Sequence, residues 1–190
     1  VHHHQVLQLG QRGRELLLVG HRGQRVEALH HETVDLALVH ALNTLADRVA
    51  SRNNGALEHV QGETLLLAWP ETSTSSVNDA IATARELMHE LDPVLLHNES
   101  QRFPLSARGA VETGAFLLGV AGSRASRRPL LLGPVADAVM GMLSLCEELA
   151  SPLIVGPKAA SSASGVTLHN LGQFLLTDHT QAMTLYRSDV

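Results

Sequence analysis

The sequence predicts an α+β fold in which helices pack on a central, mostly antiparallel sheet. Short apolar runs alternate with stretches of helical periodicity in the order β-α-β-β-α-β-β-α-β-α-β-β, which is typical of this class. With 190 residues, 44% hydrophobic and 17% charged, the chain is long enough for a full core and unlike a disordered segment. We expect one domain over residues 14–190, preceded by an N-terminal extension or linker over residues 1–13.

Composition narrows the possible partners. A formal net charge of -5 and an aromatic content of 3% provide neither a basic field nor a stacking surface, so we expect no nucleic-acid partner. No apolar run reaches the roughly 18 residues of a membrane span, so we expect no direct membrane insertion by this segment. The single cysteine, Cys146, cannot form an internal disulfide and is interpreted as a small core residue. We expect a cytoplasmic (intracellular) location. A domain within a larger membrane-tethered protein would also fit this expectation.

Local patterns justify each element of the first half of the chain. Residues 14–20 are a short apolar run closed by a glycine, which suits a buried strand. Residues 56–60 and 64–69 are two strand candidates at hairpin spacing, joined through residues 61–63. Two predicted helices flank this hairpin. Their apolar stripes recur at helical spacing and comprise Val34, Leu38, Leu42, Leu45 and Val49 in the first helix, and Ile81, Ala84, Leu87, Met88 and Leu91 in the second.

The second half predicts strands around one apolar helix. Residues 92–104 are interpreted as an irregular linker. Residues 105–122 predict a strand, a turn at 112–114 and a second strand, with Glu112 as a surface carboxylate. Residues 123–128, SRASRR, predict a solvated basic loop. A Gly-Pro break then precedes a helix, a short strand, a short helix and two closing strands.

Five segments stand in a defined order: GALEHVQGETLLLAW, SARGAVETGAFLLGVAGS, LLLGPVADAVMGMLSL, SPLIVGPKAASS and LHNLGQFLLTDHTQAMTLYR. In order and spacing they resemble the class III nucleotidyl cyclase catalytic domain, the family of adenylate and guanylate cyclases. The first is similar to the family hairpin G-x-x-x-K-x-x-G-D-x-x-x-A, and the second to R-x-G-x-H-x-G-x-x-x-x-G-x-x-G, with Glu112 at the histidine. The resemblance runs from about Arg14 to Arg187 and implies a ferredoxin-like class III cyclase fold.

The resemblance also implies where the chemistry of active family members would lie. Active members bind two metal ions between two aspartates and the triphosphate. The two metal positions fall on Gly20, which has no ligand atom, and on Glu63. The nucleotide-site positions fall on His59 and Leu130 for base reading, Asp137 for the ribose, Gly141 for the transition-state arginine and Thr177 for the phosphate-binding lysine.

These replacements predict a catalytically inactive cyclase homology domain, or pseudoenzyme. A single carboxylate is a poor site for two cations, and each lost cation costs several kcal/mol of transition-state stabilisation. We expect no catalytic residue, no metal and no cofactor, with Mg²⁺ or Mn²⁺ needed only for residual activity. The expected role is a dimerisation, regulatory or interaction module in signalling. Its expected partners are another cyclase-type domain, in a homodimer or heterodimer, and other domains of its own chain.

Two alternatives stay open. The first is a divergent active cyclase that makes a 3′,5′-cyclic nucleotide from a nucleoside triphosphate with two metal ions. The second is a purely structural α+β domain in a large complex. Nucleotide binding without turnover is a variant of the pseudoenzyme hypothesis. The histidine clusters at residues 2–4 and 30–31 have neither zinc-finger spacing nor an H-E-x-x-H pattern, so we interpret them as solvent-exposed.

Overall fold

The computed structural model of the protein describes residues 8–21, 36–61, 64–69, 76–96, 107–123, 126–177 and 179–189. The elements are β1 (Gln8–His21), α1 (Leu36–Arg52), β2 (Ala56–Gln61), β3 (Thr64–Trp69), α2 (Ser76–Leu96), β4 (Ala107–Ser123), β5 (Ser126–Leu132), α3 (Pro134–Leu145), β6 (Leu153–Val155), α4 (Pro157–Ser162), β7 (Leu168–Phe174) and β8 (Met183–Ser188). The sequence of element types matches the predicted one and confirms the α+β class, although the two strands predicted within residues 105–122 are the single strand β4, and β5 begins in residues predicted as a loop.

One sheet contains all the described strands. Its order is β2-β3-β1-β4-β6-β8-β7, and β5 pairs with β4 outside this path. The unit β2-β3-β1-β4 is antiparallel throughout and has the strand order of a ferredoxin-like fold. β6 joins β4 in parallel, and β8 and β7 then extend the sheet in antiparallel fashion. The predicted, mostly antiparallel sheet and the β2–β3 hairpin are therefore confirmed.

Helices cover both faces of this sheet. Leu65, Leu67 and Trp69 of β3 belong to the core beneath α1, α2 and α4, which we call the α1/α2 core. The residues between them, Leu66 and Ala68, belong to a second core beneath α3, which we call the α3 core. Because side chains alternate along a strand, an unbroken apolar run such as 65–69 can feed both cores at once.

The apolar stripes of α1 and α2 form the α1/α2 core. Leu42, Leu45 and Val49 of α1 are buried, as are Ile81, Ala84, Leu87, Met88 and Leu91 of α2. Val34 lies outside the described residues, and of Leu38 only the backbone is described. On the solvent side, Arg52 forms ion pairs with Glu86 and Glu90 at 2.7 and 3.1 Å. Such exposed pairs contribute at most about 1 kcal/mol each, so the apolar stripe dominates the packing.

Two predicted boundaries are wrong. α2 continues to Leu96, past the linker predicted from residue 92. Pro93 removes one helical N–H, but that local cost of about 3 kcal/mol does not decide the end of a helix that packs along its length. β1 begins at Gln8, ahead of the strand predicted from residue 14.

The largest correction concerns β4, which is one continuous strand of 17 residues without the turn predicted at 112–114. Its pairing with β1 runs through this point, with Leu16 opposite Glu112 and Glu15 opposite Thr113. The hydrogen bonds with β1 therefore stabilise an extended strand at residues whose composition is typical of a turn. The predicted basic loop is also wrong where the structure describes it, because Arg127 and Arg128 lie in β5, opposite Gly122 and Ala121. Arg124 lies outside the described residues.

A tryptophan fixes the end of the hairpin. Trp69 is 1% exposed, and its Nε1–H donates to the carbonyl oxygen of Asn53 at 2.8 Å. The indole packs so closely on Gly55 that a Cβ at this residue would overlap the ring. The glycine therefore lets α1 return directly into β2. No helix among the described residues combines the length and hydropathy needed to cross a membrane.

We predict that Gly55→Ala lowers the free energy of unfolding by about 1–3 kcal/mol, because the new methyl group overpacks a buried ring. The emission of Trp69, the one tryptophan of the chain, should shift to longer wavelength as the ring moves. Gly165→Ala is the control for the emission, since a Cβ there meets nothing within 4 Å and should leave the emission unchanged, while its φ of 68° makes this variant lose stability through backbone strain alone. Unaltered emission and stability in the Gly55 variant would contradict this packing.

Candidate functional site

One of the two metal positions implied by the resemblance, Gly20, lies near the end of β1. Gly20 pairs with Thr64 of β3 on one side and with Arg108 of β4 on the other. Its lack of a side chain leaves β1 without a ligand at this point. Glu63 lies outside the described residues, so that prediction is untested. Among the described residues no three His, Cys, Asp or Glu side chains are grouped to hold a metal ion.

The base-reading positions lie on two different strands. His59 is in β2, opposite Leu66, and Leu130 is in β5, opposite Gly119. β2 forms one edge of the sheet and β5 branches from β4, so two strands, β3 and β1, stand between β2 and β4. Only the backbone of His59 and Leu130 is described. The sheet does not bring these two positions together within this chain.

Two other nucleotide-site positions share α3. The N-cap of the helix is Gly133, whose φ of 142° is readily adopted by glycine but rarely by other residues. Pro134 occupies the first helical position, where its missing N–H costs no hydrogen bond. Asp137 is an exposed residue of the first turn, where the positive end of the helix dipole stabilises a carboxylate. Gly141 follows four residues later, on the same side of α3. The helix therefore aligns the ribose and arginine positions but offers a carboxylate and no cation.

The structure brings Gly141 and the lysine position together through a leucine. A Cβ at Gly141 would lie 3.2 Å from both Cβ and Cδ1 of Leu176. Leu176 is 3% exposed and belongs to the α3 core, whereas its neighbour Thr177 is exposed. The connection between β7 and β8 thus rests directly on α3. Where the resemblance implies two cations around a triphosphate, this chain has a close apolar contact.

Glu112 is a buried residue, so its prediction as a surface carboxylate is wrong. It is 4% exposed, and its Oε1 accepts hydrogen bonds from the N–H groups of Thr113 at 2.7 Å and Ala159 at 2.9 Å. Burial raises the pKa of the Glu112 carboxyl, and these backbone donors oppose the rise. The one signal in the sequence is the Gly156-Pro157 start of α4. A helix whose N-cap has no side chain must find its acceptor elsewhere.

Cys146 is confirmed as a core residue. It is 2% exposed, at the C-terminal end of α3, and its Sγ lies 3.5 Å from the carbonyl oxygen of Gly109. Burial raises the pKa of the Cys146 thiol to about 12, although the charge of Arg108 opposes this. Arg108 itself is engaged with Glu147 at 2.9 Å. The thiol is therefore a packing group and a weak hydrogen-bond donor, without the low pKa of a nucleophile.

Solved structures share this arrangement of strands and helices. The fold is that of class III nucleotidyl cyclase catalytic domains. The guanylate cyclase domain of RhGC from Catenaria anguillulae, solved in complex with GTP, has a TM-score of 0.74 at 14% identity, over 95% of this chain and 99% of that one. The non-canonical dimeric guanylyl cyclase domain of the RhoGC fusion protein from Blastocladiella emersonii has a TM-score of 0.66 at 13% identity, over 94% and 98%.

A bacterial light-regulated adenylyl cyclase has a TM-score of 0.72 at 18% identity, covering 97% of this chain and 52% of that one. The cyclase-like chain thus spans about half the length of these light-regulated enzymes. No protein-family model matches the sequence, and comparison with curated proteins finds no significant relative. At these identities the likeness establishes a cyclase fold, and activity must be argued from the residues.

We predict that Cys146 of the folded protein reacts very slowly with iodoacetamide. The thiolate is the nucleophile, and at pH 8 a pKa of about 12 leaves about one thiol in ten thousand ionised. Mass spectrometry should detect modification in urea and almost none in native buffer over the same time. Equal rates in the two conditions would show that the thiol is accessible and ionised in the fold.

We also predict energetic coupling between Gly141 and Leu176. In a helix interior, glycine to alanine gains about 1 kcal/mol, but the new Cβ is crowded by Leu176. Gly141→Ala should therefore be more favourable in a Leu176→Ala background than in the wild type, by about 0.5–2 kcal/mol. Urea denaturation of the four proteins measures this difference. Additivity within about 0.3 kcal/mol would contradict the contact.

Proposed function

We propose that this cyclase-like domain is catalytically inactive and acts by pairing with another cyclase-type domain, whose activity or assembly it regulates. The observation that carries the proposal is the packing of Leu176 on Gly141. The resemblance places a transition-state arginine on α3 and a phosphate-binding lysine in the connection after β7. In this chain the helix and the connection instead pack against each other, with Leu176 buried at the contact.

Electrostatics supports the same conclusion. A nucleoside triphosphate brings several negative charges, which active members offset with metal ions and cationic side chains. Here Gly20 has no ligand atom and Thr177 has no charge, while the exposed Asp137 adds a negative one. Each missing cation removes several kcal/mol of transition-state stabilisation, and several are missing together. A shift of one residue in the correspondence would not restore this set.

An apolar surface around α3 supports pairing. The described residues with large, exposed apolar side chains are Leu132, Met140 and Leu175, at 49%, 48% and 65% exposure. Leu132 directly precedes the N-cap of α3, Met140 lies on the helix, and Leu175 precedes the residue that contacts Gly141. We call these three residues the α3 surface. Exposed apolar side chains grouped around one element are typical of an interaction site. The related Blastocladiella domain is itself described as dimeric.

We predict that the purified protein, given ATP or GTP with Mg²⁺ or Mn²⁺, forms no cyclic nucleotide above the background without enzyme. Mass spectrometry of the products is the measurement, with an active cyclase as the positive control. Turnover that disappears in Glu63→Ala would establish the divergent-cyclase alternative. A nucleotide-dependent rise in melting temperature without turnover would instead identify a nucleotide-binding pseudoenzyme, because a ligand that binds only the folded state stabilises it.

Introducing a charged side chain on the α3 surface tests whether this surface mediates pairing. We predict that Met140→Lys weakens self-association, or association with a cyclase-type partner, by about tenfold or more, because an interface must then desolvate an ammonium group. Sedimentation velocity across a concentration series measures this effect. Ala82→Lys, which places the same charge on an exposed position of α2, should leave association unchanged. Equal loss in both variants, or a monomer at every concentration with and without a cyclase-type partner, would favour the purely structural alternative.

A further inference from the structure

The carboxylate of Glu112 connects the centre of the sheet to α4. Glu112 lies within β4, and its Oε1 accepts the N–H groups of Thr113 at 2.7 Å and Ala159 at 2.9 Å. The N–H of Lys158 also donates to this carboxylate. α4 starts at Pro157 after Gly156, an N-cap without a side chain. Glu112 therefore supplies, from another strand, the acceptor that a capping side chain normally provides.

The fit around the carboxylate leaves no space for a hydration shell on the Gly156 side. A Cβ at Gly156 would overlap Oε2 and Cδ of Glu112 and would lie 3.2 Å from Sδ of Met142. The carboxylate is thus enclosed by β4, the junction of β6 with α4, and α3. Glu112 is 4% exposed. Because water cannot solvate a charge here, ionisation of this group carries a desolvation cost.

Among the described side chains, Lys158 is the charged group that acts on Glu112. β1 places Leu16 opposite Glu112 and Glu15 opposite Thr113. α3 contributes the thioether of Met142 near the Gly156 contact, and α4 contributes Lys158, which is exposed and whose charge opposes the effect of burial. Desolvation outweighs all the opposing contributions and raises the pKa of the Glu112 carboxyl above its ordinary value of 4.5. Undocking of α4 would return the carboxylate to water and to its ordinary pKa.

We propose that Glu112 is a proton-controlled anchor: α4 docks on β4 most firmly when Glu112 is protonated, and ionisation of Glu112 loosens α4. The direction follows from linkage. A carboxyl whose pKa is raised in the docked state stabilises docking fully below the ordinary value, and this stabilisation is lost as pH rises through the raised pKa. Each unit of difference in pKa between the docked and open states changes the docking equilibrium by about tenfold.

The segment that this anchor controls is structurally connected. α4 leads into β7, and Asn78 of α2 binds the intervening loop by accepting the N–H of Ser164 at 3.0 Å and donating to its Oγ at 2.9 Å. β7 is followed by Leu176, which packs on Gly141. Loosening of α4 therefore acts on a segment that continues into the contact with α3. This inference uses the fold alone and is independent of whether the domain binds or cyclises nucleotides.

Hydrogen exchange of the whole protein tests the anchor. The amide of Ala159 is compared in the wild type and in Glu112→Gln, which removes the charge, at a series of pH values from 4.5 to 8. The ratio of the two rates at each pH cancels the intrinsic pH dependence of exchange. We expect the wild-type rate to rise relative to the variant as pH increases, by about tenfold for each unit of pKa difference, and then to level off. Glu148→Gln, at an exposed position after α3, is the matched control and should follow the wild type.

A ratio that is constant with pH would overturn the proposal, because it would show Glu112 to be a static cap. A second measurement uses the wild-type protein and needs no variant. The carboxyl ¹³C shift of Glu112 in the wild-type protein is followed by NMR as the pH is changed. A midpoint above 4.5 that coincides with the change in exchange at Ala159 supports the anchor, and a midpoint at or below 4.5 overturns it.

Discussion

The antiparallel ladder between β1 and β4 is the interaction on which the rest of the structure depends. It runs from the pair of Gln8 with Val120 to the pair of His21 with Ala107, and every other described strand connects to one of these two either directly or through intervening paired strands. β3 and then β2 build outward from β1, while β5, β6, β8 and β7 build outward from β4. Since the two cores lie on opposite faces of this sheet, the ladder also sets where the helices can dock.

The ladder explains which parts of the fold the sequence could predict. The stripes of α1 and α2, the β2–β3 hairpin and the Gly133-Pro134 helix start are local patterns, and the structure contains them all. The continuity of β4 is not local. Residues 112–114 carry the composition of a turn, but the pairs of β1 with Glu112 and Thr113 keep the strand extended. Local sequence patterns cover only neighbouring residues. They therefore cannot include the pairing with the 14-residue strand β1, which determines this conformation.

The candidate site shows the same division. The resemblance implies, from the sequence alone, that Gly141 and Thr177 stand where active family members have an arginine and a lysine. The partner that fills the space at Gly141 cannot, because Leu176 reaches it through a connection between distant strands. Glu112 is the converse case. Its charge predicts that the side chain is exposed to solvent. The side chain is instead buried by Gly156 and α4, which lie about forty residues further along the chain. Burial of a polar group depends on such distant contacts, and a single sequence encodes them only weakly.

The uncharged residues at the positions that the resemblance implies and the packing of Leu176 on α3 act in the same direction. A binding site for a triphosphate needs an open cleft whose walls stay hydrated until the ligand arrives. In this chain Leu176 is buried against α3, and burying a leucine side chain contributes about 1.5–3 kcal/mol. Opening a cleft between Leu176 and α3 would expose this side chain and lose that stabilisation. With neither an arginine at Gly141 nor a lysine at Thr177, an entering anion would return little of it. Under the proposed function, apolar packing is the more stable use of this surface, and introducing a single cation at Gly141 would have to work against the packing of Leu176.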